Sequence, residues 1–319
     1  MAEEVLIRKR RTVENHILAI GGGKGGTGKS LITVSMGICL ANRGNEVLLV
    51  DADLGTANLH TFLGLEPPRT GLSDFLTKKK TGIDSIIIKT GINNLNLISG
   101  AQDIVGIANL SYGQKVRILG NIKKLDYRYI LIDLGPGTSF NILDFFLISH
   151  CGILITSPEP TSIENTYRFV RGLLFRYLRK MINQKVVRSL IDKGVREREG
   201  HRFASVFDLL EAIEKIEPGL GDNIASYLSS LDIKLILNQV RTNRDRAIGE
   251  KMAIAVRNYF GIPIDFLGSI SYDNDVRRSL LQKKSLMAYF PNSKALKEII
   301  EISQKISPSY QLGLNLSAD

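Results

Sequence analysis

The run Gly21-Gly22-Gly23-Lys24-Gly25-Gly26-Thr27-Gly28-Lys29-Ser30 limits what this 319-residue chain can fold into more than any other feature. It satisfies G-x-x-x-x-G-K-[ST] from Gly23 to Ser30, directly after the apolar segment His16–Gly21 and directly before a helical pattern that starts near Lys29. Strand, glycine loop and helix in that order make an anion cradle: glycines let backbone N–H groups turn inward, and the helix aims the positive end of its dipole at the same point. Gly23, Lys24, Gly25, Gly26, Thr27, Gly28, Lys29 and Ser30 are therefore the candidate nucleotide-binding set. In this motif Lys29 holds the β- and γ-phosphates and the Ser30 hydroxyl binds Mg²⁺. A plain glycine-rich turn would need every fixed position to fall in frame by chance.

Short apolar runs recur at His16–Gly21, Glu46–Asp51, Leu95–Ser99, Tyr129–Asp133, Gly152–Ser157, Lys234–Asn238 and Ile264–Ile270, most of them separated by segments of helical period. That alternation predicts an α/β fold: a doubly wound, mostly parallel sheet with helices on both faces, whose ligands bind at the carboxyl ends of the strands. We read residues 1–319 as a single domain. A helical insertion over 175–230 interrupts the alternation, and 307–319 form a C-terminal tail. The helix entering the insertion sets Phe169, Val170, Leu173, Leu174, Tyr177, Leu178 and Met181 on one face, with Arg168, Arg171, Arg176 and Arg179 opposite. Arg188, Lys193, Arg196 and Arg198 extend the basic character before a more acidic helix, Val206 to Ile216, that ends at Glu217-Pro218-Gly219.

Apolar residues at 44% and charged ones at 23% describe a globular chain with a large core, and its apolar runs fall short of a bilayer span. Arg8-Lys9-Arg10-Arg11 is not followed by the apolar segment and small-residue site of a signal peptide, so the expected location is the cytoplasm, with contact at the inner membrane surface or a cell pole left open. The formal charge of +10 favours acidic partners without choosing between nucleic acid, lipid and protein. Cys39 and Cys151 lack the spacing of a metal or cluster site and read as buried packing residues. His16, His60, His150 and His201 show no metal-like spacing.

Two further segments carry acidic side chains to strand ends. Val50-Asp51-Ala52-Asp53-Leu54-Gly55 places two carboxylates at alternate positions, which on a strand point the same way. Beside a phosphate site such a pair can order a metal's water shell and orient an attacking water; the alternative is that both cap the turn that follows. Ile130-Leu131-Ile132-Asp133-Leu134-Gly135-Pro136-Gly137 ends an apolar strand in Asp133 and a glycine-flanked turn.

The additional Lys24, just after the first glycine, gives K-G-G-x-G-K-[ST], and here the chain resembles the deviant Walker A P-loop ATPases of the MinD/ParA type. Thr156-Ser157-Pro158-Glu159-Pro160-Thr161-Ser162-Ile163 and Leu235-Ile236-Leu237-Asn238-Gln239-Val240-Arg241 resemble the division-site and flagellar-placement members of that group. The resemblance covers 16–170 and 230–305. It implies that Lys24 reaches across a homodimer to the partner's nucleotide, so that ATP joins two subunits and hydrolysis releases them. By the same carry-over Asp51 and Asp133 serve the metal with Ser30, Asp53 positions the water, and Asn238 hydrogen-bonds the adenine. Lys24, Lys29 and Asp53 form the implied catalytic set, and ATP and Mg²⁺ the implied cofactors. The plainer readings are that Lys24 only adds charge to its own loop and that Asn238 is a turn residue.

The chain also departs from that group. Thr56 and His60 stand where relatives usually carry an apolar residue and an Asp, and Gly268-Ser269-Ile270-Ser271-Tyr272-Asp273 lacks the proline usual near the base. The tail after Ser307-Pro308 has no Lys or Arg, unlike a membrane-targeting amphipathic helix. The expected function is an ATP-hydrolysing dimerisation switch, slow until an unknown protein stimulates it, that positions a flagellum, division site or polar assembly. A DNA-segregation ATPase that binds DNA non-specifically is the alternative. A metallocluster or metabolic ATPase on the same fold is a third reading. The basic insertion is the candidate surface for anionic membrane or DNA.

Overall fold

A computed structural model describes residues 15–53, 57–77, 82–100, 110–181 and 206–306. The expectations for Arg8–Arg11, Thr56, Arg188, Lys193, Arg196, Arg198, His201 and the tail from Ser307 lie outside them. Among the described residues the elements run β1 (His16–Gly21), α1 (Lys29–Ala41), β2 (Val47–Asp51), α2 (Leu59–Leu63), α3 (Leu72–Leu76), β3 (Ile87–Lys89), β4 (Leu95–Ile98), α4 (Tyr112–Ile122), β5 (Tyr129–Asp133), α5 (Phe140–Ile148), β6 (Cys151–Thr156) and α6 (Pro160–Met181). They continue with α7 (Val206–Ile216), α8 (Leu220–Ser230), β7 (Ile233–Val240), α9 (Asn243–Phe260), β8 (Ile264–Ser271), α10 (Asn274–Leu281), α11 (Leu286–Tyr289) and α12 (Lys294–Lys305).

The strands form one eight-stranded sheet in the order β3-β4-β2-β5-β1-β6-β7-β8, parallel except for β3, which pairs antiparallel with β4 at one edge. The α/β expectation is met. The strands are apolar at nearly every position because both faces are covered, the condition of a parallel sheet. Pleat alternation then sorts one strand into two cores: Ile17, Ala19, Leu48, Val50, Ile130 and Ile132 face the core that holds α6 and α9. Leu18, Ile20, Val47, Leu49, Tyr129 and Leu131 face the core of α1 and α12. Strand β3 escaped the sequence reading because three residues are too few for a period.

The long helical stretch begins as α6, unbroken from Pro160 to Met181, so residue 175 falls inside a helix. Phe169, Val170, Leu173, Leu174, Tyr177 and Leu178 are buried as the spacing predicts. Arg176 on the basic face is tied into the fold. Its guanidinium bonds Asp144 through both Nε (2.7 Å) and an Nη (2.8 Å), while the Lys115 ammonium reaches the same carboxylate at 2.6 Å. Asp144 is 1% exposed, and a carboxylate so buried requires paired cations. Helix α7 ends where Pro218 and the left-handed Gly219 (φ 84°) break it. The Glu214 carboxylate of α7 accepts the N–H groups of Gly219, Gly221 and Asp222, which joins α7 to α8. Tyr227 of α8 stacks on Tyr177 of α6 at 3.7 Å.

Candidate functional site

Parallel register brings the sequence motifs together. Asp133 of β5 is paired with Asp51 of β2 on one side and with Ile20 of β1 on the other, so both carboxylates end beside the glycine loop that leaves β1. The second glycine turn is tied back to that loop: Leu134 N–H donates to Ile20 O at 2.9 Å and Gly137 N–H to Gly22 O at 3.2 Å.

The loop itself depends on glycine at two places in particular. A Cβ on Gly23 would collide with the Asn165 backbone of α6. Gly28, the residue before α1, has φ 91° and lies under the Asn238 side-chain amide, which would stand 2.3 Å from an added Cβ. Lys29 points back into the loop and donates to the Lys24 carbonyl at 3.1 Å. Burial holds its ammonium below the ordinary lysine range against the opposing pull of Asp133 and Asp53.

Ser30 Oγ donates to Asp133 Oδ2 at 2.6 Å, and Thr33, one helical turn further on, donates to Asp133 Oδ1 at 3.0 Å. Burial pushes the Asp133 carboxyl up to about 6 despite both hydroxyls. Burial, and then the charge of Asp133, pushes Asp51 up to about 8. Two buried carboxyls beside a hydroxyl and a lysine leave a deficit of positive charge, which fits a small hard cation with oxygen ligands. The donor set thus suits Mg²⁺ delivered with a nucleotide.

Strand β2 stops at Asp51, so alternation does not govern Asp53. The Asp51 carboxylate accepts the N–H groups of Asp53 (3.1 Å), Asn58 (2.8 Å) and Leu59 (3.0 Å), which satisfies the first amides of α2. Asp53 instead lies against the second glycine turn, its carboxyl carbon 3.0 Å from where a Gly135 side chain would begin. Lys24 turns outward and is bound within its own chain, to Glu159 Oε2 at 2.6 Å and Thr161 Oγ1 at 2.9 Å. Asn238 leans on the same loop and donates to Thr27 O at 2.8 Å. Gly25, Gly26, Gly28, Lys29, Ser30, Asp53 and Asn238 all line one cleft of about 500 Å³, together with Ile270, Tyr272, Val276 and Leu280. An open cleft with a phosphate cradle and an apolar wall suits a purine nucleoside triphosphate.

The family of the CobQ/CobB/MinD/ParA nucleotide binding domain matches residues 18–286. The chain belongs to this family. Among MinD/ParA-type proteins it is 25% identical over 292 residues to the antiactivator FleN of Pseudomonas aeruginosa, covering 91% of this chain and 85% of FleN. The septum site-determining protein MinD of Helicobacter pylori is 32% identical over 155 residues, 48% of this chain and 57% of the relative; that alignment spans little more than half of the MinD chain. The flagellum site-determining protein YlxH of the same organism is 29% identical over 163 residues, 48% of this chain and 52% of YlxH. Pyrococcus horikoshii MinD, solved with Mg-ADP, shares the fold with a TM-score of 0.63 at 22% identity, covering 93% of this chain and 98% of its own. The protein is a P-loop ATPase of the MinD/ParA type.

Four participants were given no role by the sequence alone. Thr33 is one turn after Lys29 and shares its helix face, a signal that was available. Glu159 and Thr161 belong to a segment already marked by the resemblance, yet their contact with Lys24 joins positions 135 and 137 residues apart. Gln239 was named only within the resembling segment Leu235–Arg241, and its bond to the loop spans 213 residues.

Proposed function

We propose that this protein is a nucleotide-switched dimeric ATPase: ATP·Mg²⁺ closes a homodimer, and slow, partner-stimulated hydrolysis reopens it. The observation that carries the reading is Lys24, a second lysine in the phosphate loop that points away from its own cleft. Its side chain is 35% exposed, and its ion-pair partner Glu159 is 58% exposed. An ion pair so open to solvent is worth little, so Lys24 exchanges it readily for the phosphates of a second subunit. The relatives support the cellular role: proteins named for flagellum site and septum site determination, and a MinD of Aquifex aeolicus solved in complex with MinC, point to the placement of a structure through a protein partner.

Within each subunit the roles divide by position. The loop amides and Lys29 hold the phosphates, while Ser30, Asp133 and Asp51 hold the metal, which supplies charge neutralisation at the transferred phosphoryl group. Asp53 orients the attacking water from beside Gly135, so a shift of that turn with the γ-phosphate repositions the carboxylate. Asn238, already braced against the loop, reads the adenine. The stretch 175–230 is proposed as the partner-facing insertion, with acidic protein, membrane and DNA as its candidate contacts.

Light scattering tests the switch. Asp53→Ala, able to bind ATP but slow to cleave it, is expected to form a dimer of about twice the subunit mass with ATP·Mg²⁺ and a monomer with ADP; adding Lys24→Ala should abolish the dimer. Monomers throughout, at saturating ATP, would refute the cross-subunit role of Lys24. A DNA-binding reading is favoured by one observation, the groove formed by Arg168, Arg171, Arg176 and Arg179 with Phe140 and Phe175. ATP-dependent DNA retention that falls steeply with salt would support it.

A further inference from the structure

Gln239 stands in a break of the sheet. The pairing of β7 with β8 slips between Leu237 and Val240, which takes Asn238 and Gln239 out of the regular ladder and re-aims their side chains. Gln239 is also one of the few non-glycine residues with positive φ, at 62°. A long side chain is rarely held in that conformation without a compensating contact. The contact here is the phosphate loop: Gln239 Nε2 donates to Gly26 O at 2.8 Å, beside the Asn238 Nδ2 bond to Thr27 O at 2.8 Å.

Those two bonds settle which way each amide faces. A carbonyl oxygen can only accept, so each NH₂ group is turned to the loop. The Asn238 oxygen is then taken by the Gln239 N–H at 2.8 Å. The Gln239 oxygen Oε1 accepts nothing from the described residues, although Gln239 lines the nucleotide cleft together with the apolar residues Ile270, Val276 and Leu280.

On this basis, and resting on the ATP-binding reading of the cleft, we infer that Gln239 determines base specificity: its Oε1 accepts a hydrogen bond from the 6-amino group of adenine and disfavours a purine with oxygen at that position. Because Nε2 is fixed on Gly26, the amide cannot rotate to offer a donor to a 6-oxo group without releasing the phosphate loop. An acceptor held opposite another acceptor leaves two lone pairs facing each other in a partly desolvated cleft, and a site built for a donor rejects the analogue that lacks it. One side chain thereby couples the base end of the cleft to the loop that holds the phosphates.

The test compares ATP, inosine triphosphate and inorganic tripolyphosphate by calorimetry on the full chain, wild type and Gln239→Gly. Glycine accepts the backbone conformation and removes the whole side chain, amide included, and tripolyphosphate reports whether the loop is intact. The expected result is wild-type binding of ATP at least about tenfold tighter than inosine triphosphate. In Gln239→Gly that ratio should fall to within about twofold, with tripolyphosphate affinity changed by less than about threefold. An unchanged ratio in the variant, or no preference in the wild type, would overturn the inference. Equal losses for all three ligands would reduce Gln239 to a brace on the loop and overturn it as well. If the wild type bound none of them, tripolyphosphate included, the nucleotide-binding reading itself would fail and the base-reading role with it.

Discussion

Gly28 shows how much one residue can carry. Its φ of 91° starts α1, and its missing side chain lets the Asn238 amide rest on the loop. Gly28→Ala meets both obstacles at once. We expect a stability loss of about 1–3 kcal/mol in urea denaturation, from the strained backbone alone. Calorimetry should also show at least about a tenfold loss of ATP affinity, because Asn238 must withdraw from Thr27. Full ATP affinity in Gly28→Ala would mean that the Asn238 brace is dispensable. The motif positions were legible in the sequence, since their spacing is the chemistry. The partners of Lys24 were not: a lysine's reach is several ångströms in any direction, and only the packing of the start of α6 against the loop selects Glu159 and Thr161.

Among the elements, α4, α5 and α6 are held by one buried charge cluster. Asp144, Lys115 and Arg176 are 1%, 4% and 19% exposed, so deleting the acid removes the carboxylate that both cations share. Asp144→Ala should cost about 3–5 kcal/mol in urea denaturation, whereas replacing all three residues by apolar ones of similar volume should be close to neutral. If Asp144→Ala cost less than about 1 kcal/mol, the cluster would be behaving as a surface pair. Helix α6 illustrates the limit of periodicity. Its apolar face was correctly read, but Arg176 could not be told from its neighbours Arg171 and Arg179 until α5 placed Asp144 beside it. The edge strand β3 was invisible for a related reason: three residues owe their conformation to pairing with β4 rather than to their own pattern.

For the whole molecule, the cleft draws on both halves of the sheet, from β1, β2 and β5 to β7 and β8. A ligand that bridges them should stabilise the fold as one unit. ATP·Mg²⁺ at about 100 times its dissociation constant should add ~2.7 kcal/mol, seen as one cooperative transition moving to higher temperature. Lys29→Ala should remove most of that gain. Two separate transitions, with only one responding to ATP, would show that the halves unfold independently. No helix among the described residues is long and apolar enough to cross a bilayer.

The sequence by itself determined the fold class, the phosphate loop and the identity of the carboxylates at the strand ends, because those features are local: an apolar run of set length, a glycine spacing, an acid at the end of a strand. Tertiary structure decided what each polar group touches. Register set Asp51 beside Asp133, burial raised both carboxyls, the end of β2 gave Asp51 and Asp53 different partners, and a slip between β7 and β8 turned Asn238 and Gln239 onto the loop. Those outcomes depend on contacts between segments far apart in the chain, whose energies exist only once the sheet has formed.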